Sequence, residues 1–215
     1  MYTLREWQQL PKNQNDLIIN ACTKGGLDFE EKFPIGFSSK YKHQLLIGNH
    51  ESIVLCALNI ESDKKNPRKT SRQEVVNKMR KIGIPNQTMH SDIYFQELPK
   101  YKFVISPAGN GIDCYRHYEA LMAGCIPIVE YHPLIHRNYG NCPILYTRDY
   151  SEITIDYLQK RYDQMIDMKF DFSKLFFSSY SPELQENIRE NSLYWKYAII
   201  NPVAIYKPKW MSSRS

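Results

Sequence analysis

From residue 52 the chain alternates short apolar runs with stretches of helical periodicity. Residues 52–60 (SIVLCALNI) form an apolar run of strand length, as a strand covered on both faces requires. A polar, basic stretch follows over 62–70. Ser71 then offers an N-cap for a helix to about Ile82, with Val75, Val76, Met79 and Ile82 on one stripe and Gly83 and Pro85 as its stop. A second helix is predicted near 92–98, ended by Pro99, and a buried strand at 102–106 (KFVIS). Residues 107–113 (PAGNGID) read as a loop, 114–123 as a helix ended by Gly124, and 126–130 (IPIVE) as the next strand. A short helix at 134–138 and a strand at 143–146 complete the series. Strands and helices alternating at this spacing predict an α/β fold, a parallel sheet with helices on both faces.

The flanks are read differently. Residues 16–22 (DLIINAC) suggest a short buried strand broken by Gly25 and Gly26, and residues 1–50 as a whole suggest a small N-terminal lobe, an acceptor-side candidate. Two amphipathic helices, about 151–168 and 182–197, close the domain. The expected division is therefore 1–50, 51–206 and a basic tail at 207–215.

Composition narrows this picture. With 42% hydrophobic and 24% charged residues the chain is globular rather than disordered. The 16 tyrosines offer ring faces for bases or sugars, although most tyrosines simply fill cores. A net charge of +5 suits an anionic ligand such as a nucleotide diphosphate. Basic residues are scattered, the one dense cluster being Lys64, Lys65, Arg68, Lys69 and Arg72, which a solvated loop also explains. No RNA- or DNA-binding motif appears, so nucleic acid is not an expected partner. Five cysteines, without a CxxC pair, read as buried thiols rather than disulfides or a zinc site. The N-terminus lacks the pattern of a secretory signal and no window has the length of a membrane span, so a soluble, cytoplasmic protein is expected.

Chemistry concentrates in residues 103–130, FVISPAGNGIDCYRHYEALMAGCIPIVE. Ligands of open α/β sheets bind beyond the C-terminal ends of strands, here beyond Ser106. Gly109 and Gly111, flanking Asn110, permit close backbone approach and a positive φ. The helix that follows presents free N–H groups and a positive dipole end to phosphate oxygens. Arg116 in its first turn suits paired hydrogen bonds to a diphosphate. Glu119, three residues on, shares that face and suits two ribose hydroxyls. Each piece has a plainer reading: Arg116 and Glu119 as an exposed ion pair, Asp113 as an N-cap.

Taken whole, the string SPxGNGxDxxRxxEALxxGCIPIV resembles the donor-site signature of exostosin-like glycosyltransferases, family 47 and its viral or bacterial relatives, over about 28 residues. The resemblance implies a Rossmann-like donor domain of GT-B type that binds a nucleoside-diphosphate sugar, UDP being the first guess, with no required metal or other cofactor. It implies transfer to a glycan hydroxyl, with a non-catalytic nucleotide-sugar-binding subunit as the alternative. Glu119 would hold the ribose, and Arg116 with the Gly109–Gly111 loop would lie near the diphosphate. Ser106 and Asp113 would shape the pocket. Relatives often carry His and Trp where this chain has Tyr115 and Tyr118. An Arg or Lys after the first strand of such domains reaches the leaving diphosphate; Arg68 and Arg72 are the candidates, Arg72 preferred because it begins a helix. The general base would come from the N-terminal lobe, where Asp28 is the favoured candidate among Asp28, Glu30, Glu31, His43 and His50. A chain with no anchor departs from the Golgi members and suggests a bacterial, cytosolic or viral setting, the host cytoplasm if viral.

Overall fold

The computed structural model describes residues 1–12, 16–18, 34–38, 41, 48–63 and 70–200, with side chains as far as residue 191. Strand β1 (Tyr2–Thr3) and helix α1 (Leu4–Gln9) open the chain. The central sheet contains β2 (Ser52–Leu55), β3 (Tyr101–Ile105), β4 (Ile126–Glu130) and β5 (Leu145–Thr147), all parallel and hydrogen-bonded in that order. Between them run α2 (Arg72–Lys81), α3 (Ser91–Glu97), α4 (Tyr115–Met122) and α5 (Pro133–Tyr139). Helix α6 (Ile155–Met165), strand β6 (Lys169–Phe170) and helix α7 (Pro182–Ile200) follow.

The alternation of side chains along the strands sorts the sheet into two covered faces. Phe103, Ile105, Ile126 and Ile128 pack with Val75, Val76 and Met79 of α2 and with Leu158 and Tyr162 of α6. Leu55 and Val104 instead pack with Tyr94, Phe95 and Leu98 around α3 and with Ala120 of α4. The expected parallel α/β sheet flanked by helices is thus the observed one, with a Rossmann-like build.

Local chemistry explains the helix ends. Ser71 and Glu74 form a reciprocal capping box at α2, and Thr154 caps α6 through the Tyr157 N–H. Gly83 and Gly124 sit at positive φ after α2 and α4, where a side chain would be strained. Helix α4 differs at its start: Cys114 is the N-cap and its side chain makes no capping hydrogen bond to the helix. Asp113, expected as a possible cap, does not fill that role.

Two sequence expectations need correction. The strand expected over 52–60 ends at Leu55, because beyond it the Leu58 backbone pairs with the Asn86 side chain instead of a strand: Leu58 N–H donates to Asn86 Oδ1 (2.7 Å) and Asn86 Nδ2 donates to Leu58 O (3.0 Å). Pro99 does not follow the second helix directly but lies in a 3₁₀ turn, Leu98–Lys100.

The described parts of residues 1–50 share the core of the sheet. Leu4, Trp7, Leu17 and Phe37 belong to the larger cluster, and the Trp7 indole stacks on Phe172 at 4.0 Å and donates to Leu121 O at 2.8 Å. Strand β1 pairs antiparallel with β6. Within the expected strand at 16–22, Leu17 forms an isolated bridge to Phe176, and residues 19–22 lie outside the described residues, as does the basic tail. Cys56, Cys114, Cys125 and Cys142 are buried free thiols, in keeping with their apolar surroundings in sequence.

Candidate functional site

A cleft of about 740 Å³ opens beyond the C-terminal ends of β2 and β3. Its floor is the amino end of α4 and the Gly109–Gly111 loop. One wall carries Ala57, Leu58 and Asn59 after β2, another carries Tyr94 and Phe95 of α3, and Ile35 and Ser38 close a third side. This is the end of a parallel sheet where ligands bind in open α/β folds.

Gly109 is required by space rather than by backbone angle. A Cβ there would lie 2.9 Å from a guanidinium nitrogen of Arg72, and neither Gly109 nor Gly111 has the positive φ that their sequence allowed. The turn is tightened by Gly109 N–H donating to Gly111 O at 2.9 Å. Asn110 is exposed on the cleft's edge. Ser106, expected in the pocket wall, is fully buried beneath the loop and outside the cleft lining. Its carbonyl accepts a hydrogen bond from His117 Nε2 (3.1 Å) while its hydroxyl has no partner among the described residues.

Arg72 is not on a solvated loop: it is 6% exposed. Its Nε donates to Ala108 O (3.1 Å) and its Nη1 to Asn59 O (3.1 Å) and Ser62 Oγ (2.5 Å), so the guanidinium ties both loops of the cleft together and leaves Nη2 against Gly109. Burial lowers its pKa, and the neighbouring Arg116 charge acts in the same direction. Arg116 Nη2 donates to Ala57 O at 3.0 Å, its plane lies 5.8 Å from the Tyr94 ring centre, and its Nε is buried with no partner among the described residues. Neither guanidinium forms an ion pair with a described carboxylate. A buried and a part-buried guanidinium side by side, with no ion pair to a described carboxylate, favour the approach of an anion.

Glu119 lines the same cleft and is 6% exposed. The plain alternative, an Arg116–Glu119 ion pair on a solvated face, does not occur among the described residues, and the carboxyl group makes no hydrogen bond to them. Burial pushes its pKa up to about 7, against the opposing pull of Arg116. A buried carboxyl group with no protein partner retains its full capacity to accept hydrogen bonds from a ligand.

Asp113 behaves in the opposite way. Its carboxylate, 3% exposed, accepts from Tyr139 Oη (2.6 Å), Tyr118 Oη (3.1 Å) and Ile35 N–H (3.1 Å), and His117 Nδ1 lies 3.6 Å away. Burial alone would raise its pKa, but the neighbouring His117 imidazole and the charge of Lys174 hold it below the ordinary aspartate value. Sequence reasoning passed over His117, Tyr139 and Lys174. The i,i+4 spacing of Asp113 and His117 was a readable signal, while Tyr139 and Lys174 arrive from distant elements.

Asp28, Arg68, Glu30, Glu31 and His43 lie outside the described residues. His50 precedes β2 and bonds Tyr101 O at 2.8 Å, which puts it at the N-terminal end of the sheet, away from the cleft. Among the described residues no group of three or more His, Cys, Asp or Glu is placed to hold a metal ion, and no helix is long and apolar enough to cross a membrane.

No curated protein matches the chain. Residues 63–161, just under half of its length and including α2, β3, the glycine loop, α4 and β4, match the family model of the RXYLT1 C-terminal domain, a similarity to a glycosyltransferase-related family.

Proposed function

We propose that the chain is the donor-binding part of a glycosyltransferase, holding a nucleoside-diphosphate sugar, with UDP as its carrier, and passing the sugar to a glycan hydroxyl. One observation carries the reading: Arg72 and Arg116 meet at one cleft with no ion pair to a described carboxylate, and Glu119 stands buried beside them without a hydrogen bond to the described residues. The diphosphate lies at the uncapped amino end of α4 between the two guanidiniums, and Glu119 accepts from the ribose hydroxyls one turn further along. As the glycosidic bond breaks, negative charge grows on the diphosphate. The two guanidiniums and the helix end stabilise it, without a required metal. The match to the RXYLT1 C-terminal domain supports sugar transfer as the chemistry.

The general base is assigned to Asp28, from the sequence alone. Among the described residues the cleft is lined by two carboxyl groups, Asp113 with its acceptor sites occupied and Glu119 committed to ribose. That observation favours a second reading, a nucleotide-sugar-binding subunit whose base is supplied by another chain.

Calorimetric titration with UDP, GDP and their sugars, run beside an assay of donor hydrolysis and transfer, tests both. Binding of a nucleoside diphosphate that falls about 100-fold or more in Glu119→Ala is expected, because hydrogen bonds to a charged group are the stronger kind. Binding without turnover selects the subunit reading. Equal affinity in the variant removes Glu119 from ribose recognition.

A further inference from the structure

Two rims of the cleft are distant in sequence: the glycine loop ending at Asp113, and residues 34–38, of which Ile35 and Ser38 line it. One carboxylate joins them. Asp113 Oδ2 accepts the Ile35 N–H directly, at 3.1 Å, together with the Tyr118 hydroxyl of α4. Asp113 Oδ1 accepts the Tyr139 hydroxyl from the end of α5, at 2.6 Å. His117 closes the circuit, with Nδ1 3.4 Å from the Tyr139 oxygen and Nε2 donating to Ser106 O where the loop leaves β3.

The whole assembly is dry: Asp113, Tyr118, His117 and Tyr139 are each at most 3% exposed. The charge of Lys174, in the 3₁₀ turn Ser173–Leu175, favours the ionised form of the Asp113 carboxyl group. Its ammonium stands 4.6 Å from the centre of the Tyr139 ring and 5.7 Å from that of Tyr118. The rim residues 34–38 are fastened from their own side. Phe37 is fully buried edge-on to the Tyr118 ring at 5.8 Å, and its N–H donates to Ile18 O at 2.7 Å. Both Ile35 and Lys174 lie outside the stretch that matches the RXYLT1 C-terminal domain.

We infer that Asp113 is a positioning residue and not a ligand of the nucleotide, and that Tyr139 and Lys174 act through it to hold the two rims of the cleft together. Every acceptor direction of the carboxylate that the hydrogen bonds define points into protein. Its bond to Ile35 couples the position of that rim to packing contributed by Tyr139 and Lys174. The ligand part of this inference rests on the nucleotide reading of the same cleft, but the brace itself does not.

The test separates the two. Amide hydrogen exchange is followed by mass spectrometry in the free full-length protein, for wild type, Tyr139→Phe, Lys174→Met, Lys174→Arg and Asp113→Asn. UDP affinity of each is then measured by calorimetry. Tyr139→Phe keeps the ring and removes one hydroxyl, so it keeps the fold even where Asp113→Asn does not. The expected result is faster exchange, by about tenfold, at both Ile35–Ser38 and the glycine loop in Tyr139→Phe and Lys174→Met, with β3 and β4 unchanged. Lys174→Arg restores wild-type exchange, and UDP affinity falls and recovers in step. Unchanged exchange at both rims in Tyr139→Phe overturns the brace. A loss of UDP affinity in Asp113→Asn with exchange unaltered overturns it as well, since it makes Asp113 a direct ligand. Accelerated exchange in a protein that binds no nucleotide upholds the brace and removes the nucleotide reading alone.

Discussion

The two ends of the central sheet are built on different terms. At the N-terminal end the polar groups are nearly all spent on protein. Gln8 Nε2 donates to Gly124 O (2.9 Å) and to Tyr162 Oη (3.2 Å), Trp7 donates to Leu121 O, and His50 Nδ1 meets Tyr101 O, with His50 Nε2 as the exception. There is no room to spare, since a Cβ on Gly124 would lie 2.7 Å from Gln8 Cγ. At the C-terminal end an open cleft holds two guanidiniums with no ion pair to a described carboxylate, and the Glu119 carboxyl group without a hydrogen bond to the described residues. Unspent polar capacity accumulates at the end where a ligand of an open α/β sheet belongs. The first end is made to hold together, and the second carries an energetic cost in the empty state that a bound anion offsets.

Substitutions at the two ends sharpen this contrast. Arg72→Met has the largest expected effect, because it abandons three acceptors in two loops. Chemical denaturation is expected to show a loss of about 3–5 kcal/mol, with nucleotide binding lost as well. Binding lost at unchanged stability would deny Arg72 its role in tying the loops.

Glu119 is expected to work in the opposite sense. Its folded pKa of about 7 lies above its ordinary 4.5, so between those values the native state holds more proton than the unfolded one. The free protein therefore loses stability as pH rises through this window, by about 3 kcal/mol in total from this group. Glu119→Gln flattens that part of the stability-against-pH profile and raises the melting temperature of the free protein at pH 8, while weakening nucleotide binding. A parallel profile in the variant would mean that the carboxyl group is not the desolvated one.

Gly124→Ala strikes the other end. Positive φ and the close Gln8 contact make a destabilisation of about 2 kcal/mol the expected outcome, with nucleotide affinity of the folded protein unchanged. An altered affinity would couple the two ends. The smallest effect belongs to Arg5→Ala at the exposed Arg5–Asp167 pair, where no measurable change in melting temperature is expected.

Much of this was legible in the sequence, for reasons that differ by element. Strand β4 was predicted with its observed bounds, 126–130, because a buried parallel strand is a run of apolar residues between two breakers. Helix α2 carried its own start signal in Ser71 and Glu74. Strand β2 was drawn too long because residues 57 and 58 are apolar for another reason: they form the cleft wall, where Leu58 pairs with Asn86, a partner 28 positions away. Arg116 and Glu119 could be placed on one helix face from spacing alone, and both line the cleft. Their being unpaired, which carries the functional reading, is a property of the assembled interior. The same holds for Asp113, whose partners Ile35, Tyr139 and Lys174 converge from separate parts of the chain. No local pattern encodes that convergence.

The central claim, that this cleft is a nucleotide diphosphate site, is tested most directly by a crystal structure of the protein bound to UDP. The account predicts the diphosphate between Arg72 and Arg116 at the amino end of α4, and both ribose hydroxyls donating to Glu119. Density for UDP elsewhere, with the two guanidiniums still without an anion, would contradict it.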